Sequence, residues 1–284
     1  MLCEVLKYQS AYGGFPSYVQ AGAEIIADEN CFITSLVLLE LIHIASDTAD
    51  ERLQEAINRG IGFIENCQEP GSKGRFCFYP YAGSSPRFDI RLDADCDDSA
   101  LALLVLLKAG KRTPAEIKEL VATQLEPHRM TFVADHERGW VGRPLFRTWM
   151  NGTIRDNPID CCVNLNVLAL YHEAGFGNEE ITSATVNLII NAVNLYGTKD
   201  SALRLIAPYY AHRAELYFAT QRTVKAGVPN TEPLLQQLTK QLSADKDDPF
   251  SENRPICCNA HGRPLWFSPA LQKIRKINYL SSLH

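Results

Sequence analysis

The sequence predicts an all-α fold, a ring of helical hairpins (an α/α toroid, incomplete or full six-fold) taking residues 1–284 as one domain. Three observations predict it. An apolar unit of about sixteen residues recurs along the chain at helical spacing. Its copies open on side chains suited to helix capping, and three of them close on Ala-Gly. More polar, amphipathic segments lie between the copies. Apolar helices facing inward and amphipathic helices facing solvent are what a ring of hairpins requires.

The first copy is 30-NCFITSLVLLELIHIA-45, the second 95-DCDDSALALLVLLKAG-110 and the third 160-DCCVNLNVLALYHEAG-175, with starts 65 residues apart. The fourth, 212-HRAELYFATQRTVKAG-227, begins 52 residues further on, and a weaker fifth lies in 266-WFSPALQKIRKINYL-280. Asn30, Asp95 and Asp160 suit an N-cap, where a short polar side chain accepts backbone N–H bonds. Gly110, Gly175 and Gly227 suit the left-handed residue that follows a helix. The intervening segments are 48–67, 113–125, 178–197 and 231–242. Pro114 fits a helix first turn, where its missing N–H costs nothing. Three long loops, 69–94, 127–159 and 243–265, run into inner-helix starts. Loops of that length in a compact domain carry function or short elements of their own. They hold Phe78, Tyr79, Tyr81, Phe132, Trp140, Phe146 and Trp149, which either staple the loops down or line a pocket.

Composition narrows the function classes. Hydrophobic residues make up 46% and charged residues 21%, the balance of an ordinary globule. A net charge of −5 with scattered Lys and Arg argues against nucleic acid as partner. The nine cysteines are an odd number, and 1-MLCEVLKYQS lacks a signal-peptide pattern, so reduced thiols and a cytoplasmic location are expected. No apolar run approaches 18 residues, which argues against a membrane span. Oligomeric state stays open.

The second copy carries more acid than capping needs. Asp93, Asp95, Asp97 and Asp98 fall within six residues. Asp95 matches Asn30 and Asp160 as a cap. Asp97 and Asp98 align instead with Phe32 and Ile33, Cys162 and Val163, Ala214 and Glu215, of which only Glu215 is acidic. Crowded carboxylates cannot all ionise, so one becomes a neutral acid. A helix N-terminus favours the ionised form instead. The two effects compete.

The segment Asp95-Cys96-Asp97-Asp98-Ser99-Ala100 resembles the Asp-x-Asp-Asp-Thr-Ala motif of class II terpene cyclases and their squalene–hopene cyclase relatives. The segments 13-GGFPSY-18 and 146-FRTWMNGTIRDNPIDCCVNLNVL-168 are also similar to that superfamily. The bare acidic pattern recurs at Asp245-Lys246-Asp247-Asp248-Pro249, read as a solvated charge run ahead of a proline. The Gln-Trp repeats of the family are absent, and the chain has room for one helical domain where the family usually has two or three.

The resemblance implies an enzyme that protonates an alkene or epoxide of a hydrophobic polyprenoid and cyclises it in an apolar barrel. Asp97 would be the acid, with Asp95 and Asp98 hydrogen-bonding it. Trp149, Tyr209, Tyr210, Phe218 and Trp266, near other repeat starts, are candidates to face the carbocation. Arg91 and Arg147, with Arg87, are candidate anchors for a diphosphate, and Mg2+ enters only with such a substrate. No Asp-Asp-x-x-Asp run supports metal-dependent ionisation.

Two other readings compete. One is a non-catalytic toroid that binds a lipid or a protein partner, with a collapsed cavity or solvated aspartates. The other is a zinc-dependent, prenyltransferase-like enzyme. Asp160-x-Cys162 with His212, or Cys257-Cys258 with His261, would supply its ligands, but neither set has a strong linear spacing. The expected set therefore contains no metal and no other cofactor.

Overall fold

The structure is a computed structural model. It describes residues 2–46, 48–81, 92–130, 141, 145–152, 157–177, 179–244 and 248–281. It is an α/α toroid. Five helices form the inner ring: α2 (Cys31–Ala45), α4 (Cys96–Lys108), α6 (Cys161–Glu173), α9 (Arg213–Lys225) and α11 (Pro269–Ser281). In the ring α11 packs on α2, α2 on α4, α4 on α6 and α6 on α9. All five copies read from the sequence are therefore inner helices.

The first four copies start as their first residue dictates, and the fifth starts from Ser268, two residues into the copy. The side chain of Asn30 accepts from Ile33 N (2.8 Å), Asp95 from Asp98 N (2.7 Å) and Asp160 from Cys162 N (2.7 Å). His212 Nδ1 accepts from Ala214 N (3.1 Å), and Ser268 Oγ from Leu271 N (3.3 Å). Gly110, Gly175 and Gly227 follow three of these helices with φ of 66°, 65° and 76°, the region where a side chain is strained. The middles of α2, α4 and α6 are largely apolar on every side and fill the core. Leu38, Leu41, Leu101, Leu103 and Leu170 are fully buried, each worth about 1.5–3 kcal/mol of transfer free energy.

The outer layer is amphipathic. α3 (Glu51–Asn66) covers α2, α5 (Pro114–Leu120) covers α4, α7 (Glu179–Tyr196) covers α6 and α10 (Glu232–Ala244) covers α9. The short α1 (Leu2–Leu6) packs on α11, and α8 (Asp200–Ile206) follows α7. Thr113 and Glu116 form a capping box around Pro114.

Between α9 and α11 the contact is made by long side chains. Arg275 Nη1 and Nη2 donate to Glu215 Oε1 (2.7 Å) and Oε2 (2.8 Å), and both side chains are buried. The same guanidinium lies 3.8 Å from the centre of the Phe218 ring.

The strands lie outside the helical pattern read from the sequence. β1 (Ser17–Ala21), β2 (Glu24–Asp28), β5 (Cys257–Cys258) and β6 (Leu265–Phe267) form an antiparallel sheet in the order β2-β1-β6-β5. This sheet joins the chain's first hairpin to the loop before α11. A two-residue pair, β3 (Phe76–Cys77) with β4 (Ala94–Asp95), holds the start of α4.

One further bond repeats. The fourth residue after each of the first three caps accepts the backbone N–H of a phenylalanine in the segment leading to that helix. Phe15 N donates to Thr34 Oγ1 (3.1 Å), Phe76 N to Ser99 Oγ (2.9 Å) and Phe146 N to Asn164 Oδ1 (2.7 Å). Each loop is thereby pinned to the ring, and its aromatic residues are carried to the same end.

Candidate active site

That end is where the aspartates sit. A cavity of about 260 Å3 opens at the N-terminal ends of the inner helices, lined by Asp95, Asp97 and Asp98 on one side. Phe32, Phe78, Trp149, Tyr209, Tyr210 and Trp266 supply most of the remaining wall. Three crossing backbones fix the acidic corner. Asp95 pairs with Phe76 on one side and Trp149 on the other, and Cys96 N donates to Thr148 O (2.8 Å).

All three carboxyls are buried, between 1% and 7% exposed, so the competition left open by the sequence is decided by desolvation. Burial pushes Asp95 up to about 7, with the Asp97 charge adding to the rise. Asp98 rises well above the usual carboxylate range for the same reason, reinforced by Asp95. These two carboxyls hydrogen-bond each other, and Asp98 Oδ1 has no hydrogen-bond partner among the described residues. The helix N-terminus is still used, since Asp95 caps it, but it does not keep the carboxyls ordinary.

Asp97 is held differently from the sequence-based expectation. Its partners are Tyr210 and Asn166, not Asp95 and Asp98. Tyr210 OH donates to Oδ2 (2.6 Å), and Asn166 Nδ2 donates to Oδ1 (2.7 Å). Burial raises the Asp97 carboxyl, while these two donors and the Arg222 charge pull against the rise. Asp95 and Asp98 point their bonds at each other because Asp95 already turns inward to cap Asp98 N.

The aromatic wall is locked by its polar edges. Trp149 Nε1 donates to Tyr209 OH (2.7 Å), and Asn157 clamps the Trp149 backbone through bonds of 2.9 and 2.8 Å. Trp266 Nε1 donates to the buried carboxylate of Asp28 (3.1 Å), which also accepts from Ser17, Asn30 and Tyr79. Phe78 meets Trp266 edge-on at 5.7 Å, and Phe32 meets Tyr210 edge-on at 5.6 Å. All four of these rings line the cavity.

Of the residues predicted from sequence, Asp95, Asp97, Asp98, Trp149, Tyr209, Tyr210 and Trp266 converge here. Phe218 does not: it lies six residues along α9, stacked under Arg275 and beside Tyr217 and Phe250. Arg147 does not line the cavity either; its guanidinium donates to Asn157 O (3.0 Å) and braces the loop that carries Trp149. Arg87 and Arg91 lie outside the described residues, as do Phe132 and Trp140. In the second acidic pattern, Asp245 and Asp247 also lie outside them, and Asp248 is an exposed turn residue accepting from Phe250 N (2.9 Å).

The zinc candidates do not assemble. Among the described residues no group of three His, Cys, Asp or Glu side chains is placed to hold a metal ion. Asp160 spends one oxygen on its cap and the other on Tyr209 N (3.1 Å), with burial raising it to about 8. Cys258 Sγ donates to Pro208 O (3.4 Å). Cys257 and Cys258 instead line the cavity.

Sequence reasoning missed Asn166, Arg222, Asp28 and Phe32. For Asn166 a signal existed: an amide within the apolar run of α6 has to find a buried partner. Arg222 carried no comparable mark, because a lone arginine late in a helix looks like any solvent-facing cation.

Comparison with known proteins agrees with this geometry at the level of fold. No family model matches the sequence, and no curated protein matches it. Among solved structures, a similar chain is the type II terpene cyclase MstE from Scytonema, in an Asp-to-Asn form, in complex with geranylgeranyl dihydroxybenzoate as substrate. The TM-score is 0.51 and the identity 13%, over 84% of this chain and 60% of that one. The ring is a terpene-cyclase-like fold. The present chain spans 60% of the length of that relative. No helix among the described residues is long and apolar enough to cross a membrane.

Proposed function

We propose that the protein is a class II terpene cyclase-like enzyme that starts cyclisation of a polyprenoid by protonating it from Asp97. The observation that carries this reading is a buried carboxyl with two dedicated donors, at one end of a cavity walled by aromatic rings. Burial favours the protonated carboxyl, and Tyr210 and Asn166 stabilise the carboxylate left after transfer. The proton passes from Asp97 to an alkene carbon; the π electrons form the new C–H bond and leave a cation on the neighbouring carbon. Phe32, Phe78, Trp149 and Trp266 offer faces to that cation as it passes along the chain. Their packing excludes water, which would otherwise quench it. Loss of a proton ends the reaction.

The binding-toroid alternative expects solvated aspartates or a collapsed cavity, and here the aspartates are buried beside an open one. The zinc alternative expects converging ligands, which the described residues do not form. The test is product analysis by gas chromatography–mass spectrometry. Native protein and Asp97→Asn are incubated with geranyl, farnesyl and geranylgeranyl diphosphates, squalene and geranylgeranyl dihydroxybenzoate. A cyclic product from the native protein alone is expected. No product from any of them would defeat the reading, as would equal product from Asp97→Asn.

A further inference from the structure

An asparagine amide has one accepting end and one donating end of nearly equal shape, so its neighbours decide which way it sits. At Asn166 the deciding neighbour is Arg222 on α9. Its Nε (3.1 Å) and Nη2 (2.9 Å) both donate to Asn166 Oδ1. A guanidinium has donors and no acceptor, so the amide oxygen is pinned toward Arg222. The NH2 end must then face Asp97 Oδ1 (2.7 Å) and Tyr210 OH (3.0 Å). The amide NH2 can only donate, so Oδ1 cannot carry the carboxyl proton toward it. Tyr210 OH, 2.6 Å from Oδ2, both donates and accepts, so the proton is left to Oδ2, with the hydroxyl donating to that oxygen once the proton has gone.

We propose that Arg222 is a positioning residue for the Asp97 acid: by fixing the flip of Asn166 it confines the transferable proton to Oδ2. The inference rests on the reading of Asp97 as the acid. Arg222 is not an ordinary ion-pair partner. The nearby carboxylates are engaged elsewhere, Glu215 by Arg275 and Glu40 by Asn278. Arg222 also lines a second cavity of about 460 Å3 with Glu40, His43, Lys108, Glu173 and Lys225, at the opposite end of the inner ring from the aspartates. Among the described residues the guanidinium is hydrogen-bonded to the acid by way of Asn166, its charge acting across the gap, and it can be reached without crossing the aromatic chamber.

The experiment is a double-mutant cycle with Arg222→Ala, Asn166→Leu and both together, read in two ways. In turnover, each single variant loses about 10–100-fold in kcat with KM within about threefold, since misaligned groups cost rates of that order. The double variant is no slower than Asn166→Leu, because the two residues act as one chain. Ethylguanidinium added to Arg222→Ala restores at least about tenfold and does nothing for Asn166→Leu. Arg222→Met, which keeps volume, serves if the alanine variant fails to fold.

The second readout needs no substrate: an isotope-edited infrared titration of the carboxyl band that disappears in Asp97→Asn. Among the described residues the other groups coupled to this carboxyl are Asp95 at the N-cap of α4, Cys96 and Asp98 on α4, Asp160 and Cys162 at α6, Tyr210, and Arg222 itself. Arg222→Ala should shift the band and raise its midpoint; in the Asn166→Leu background the band should stay put and only the smaller midpoint rise from the lost Arg222 charge should remain. Additive kinetic losses with an unmoved band would overturn the proposal. A coupled band shift in a protein without cyclase activity would uphold the positioning while ending the proposed function.

Discussion

The two ends of the inner ring obey one local rule and arrive at opposite electrostatics. Helix N-termini attract acids and helix C-termini attract bases. The N-terminal end holds Asp95, Asp97, Asp98 and Asp160; the C-terminal end holds His43, Lys108, His172 and Lys225. At the C-terminal end the charges meet water, as in the partly exposed pair between Lys108 and Glu173. At the N-terminal end loops pinned across the helix starts shut water out, and the same kind of charge becomes a set of carboxyls that resist ionising. The same sequence preference thus leaves ordinary surface charge at one end and buried, hard-to-ionise carboxyls under a roof of aromatic residues at the other.

The largest effect expected from this contrast is on turnover. Asp97→Asn should lower product formation by about 10²–10⁴-fold, the range of a lost general acid, while leaving the circular dichroism spectrum unchanged. Comparable turnover would erase the distinction between the two ends.

Next comes stability midway round the ring. Glu215→Gln leaves Arg275 buried and unpaired, so chemical denaturation should show a loss of about 3–5 kcal/mol. A loss under about 1 kcal/mol would mean that the α9–α11 contact is no real closure.

The third effect is a pH slope. Asp95 and Asp160 sit near 7 and 8 when folded, against about 3.9 unfolded. Between about pH 4 and 8 the folded chain therefore holds protons that the unfolded chain has released. Stability should fall as pH rises through that window, by at most about 1.4 kcal/mol per unit for each carboxyl. Thermal midpoints at pH 5 and pH 8 measure this, and Asp160→Asn should flatten the slope. A midpoint that rises from pH 5 to 8 would place the carboxyls in ordinary solvent.

The smallest effect belongs to the opposite end. Lys108→Ala should change stability by no more than about 1 kcal/mol, because a solvent-facing ion pair contributes little. It should also leave product formation intact.

The ring was legible in the sequence because its signals are local. A cap at Asn30, Asp95 or Asp160, a glycine at 110, 175 or 227 and an apolar run between them each act within a few residues, and all survive unchanged in the fold. The acidic corner was legible for a related reason: Asp97 and Asp98 broke a repeat that was otherwise followed. What lay beyond reach were partners distant along the chain. Asn166 reaches Asp97 across 69 residues, and Trp266 reaches Asp28 across 238. Phe218 misled because a residue near a repeat start looks cavity-facing, whereas its helical turn directs it at Arg275. β3 to β6 stayed hidden because strands of two or three residues leave no period to read, and the five-residue β2 because it buries only Asp28 and so shows no apolar alternation.

The bond from each loop phenylalanine to the ring has an architectural consequence. Phe15 and Thr34 are 19 residues apart, Phe76 and Ser99 23, and Phe146 and Asn164 18. Unequal lengths of chain end on equivalent anchor points, and lengthening a flexible loop costs little entropy. The straps over the chamber are thus modular. One can be lengthened, shortened or exchanged between its two anchors, reshaping the chamber while the helices that hold the aspartates stay where they are.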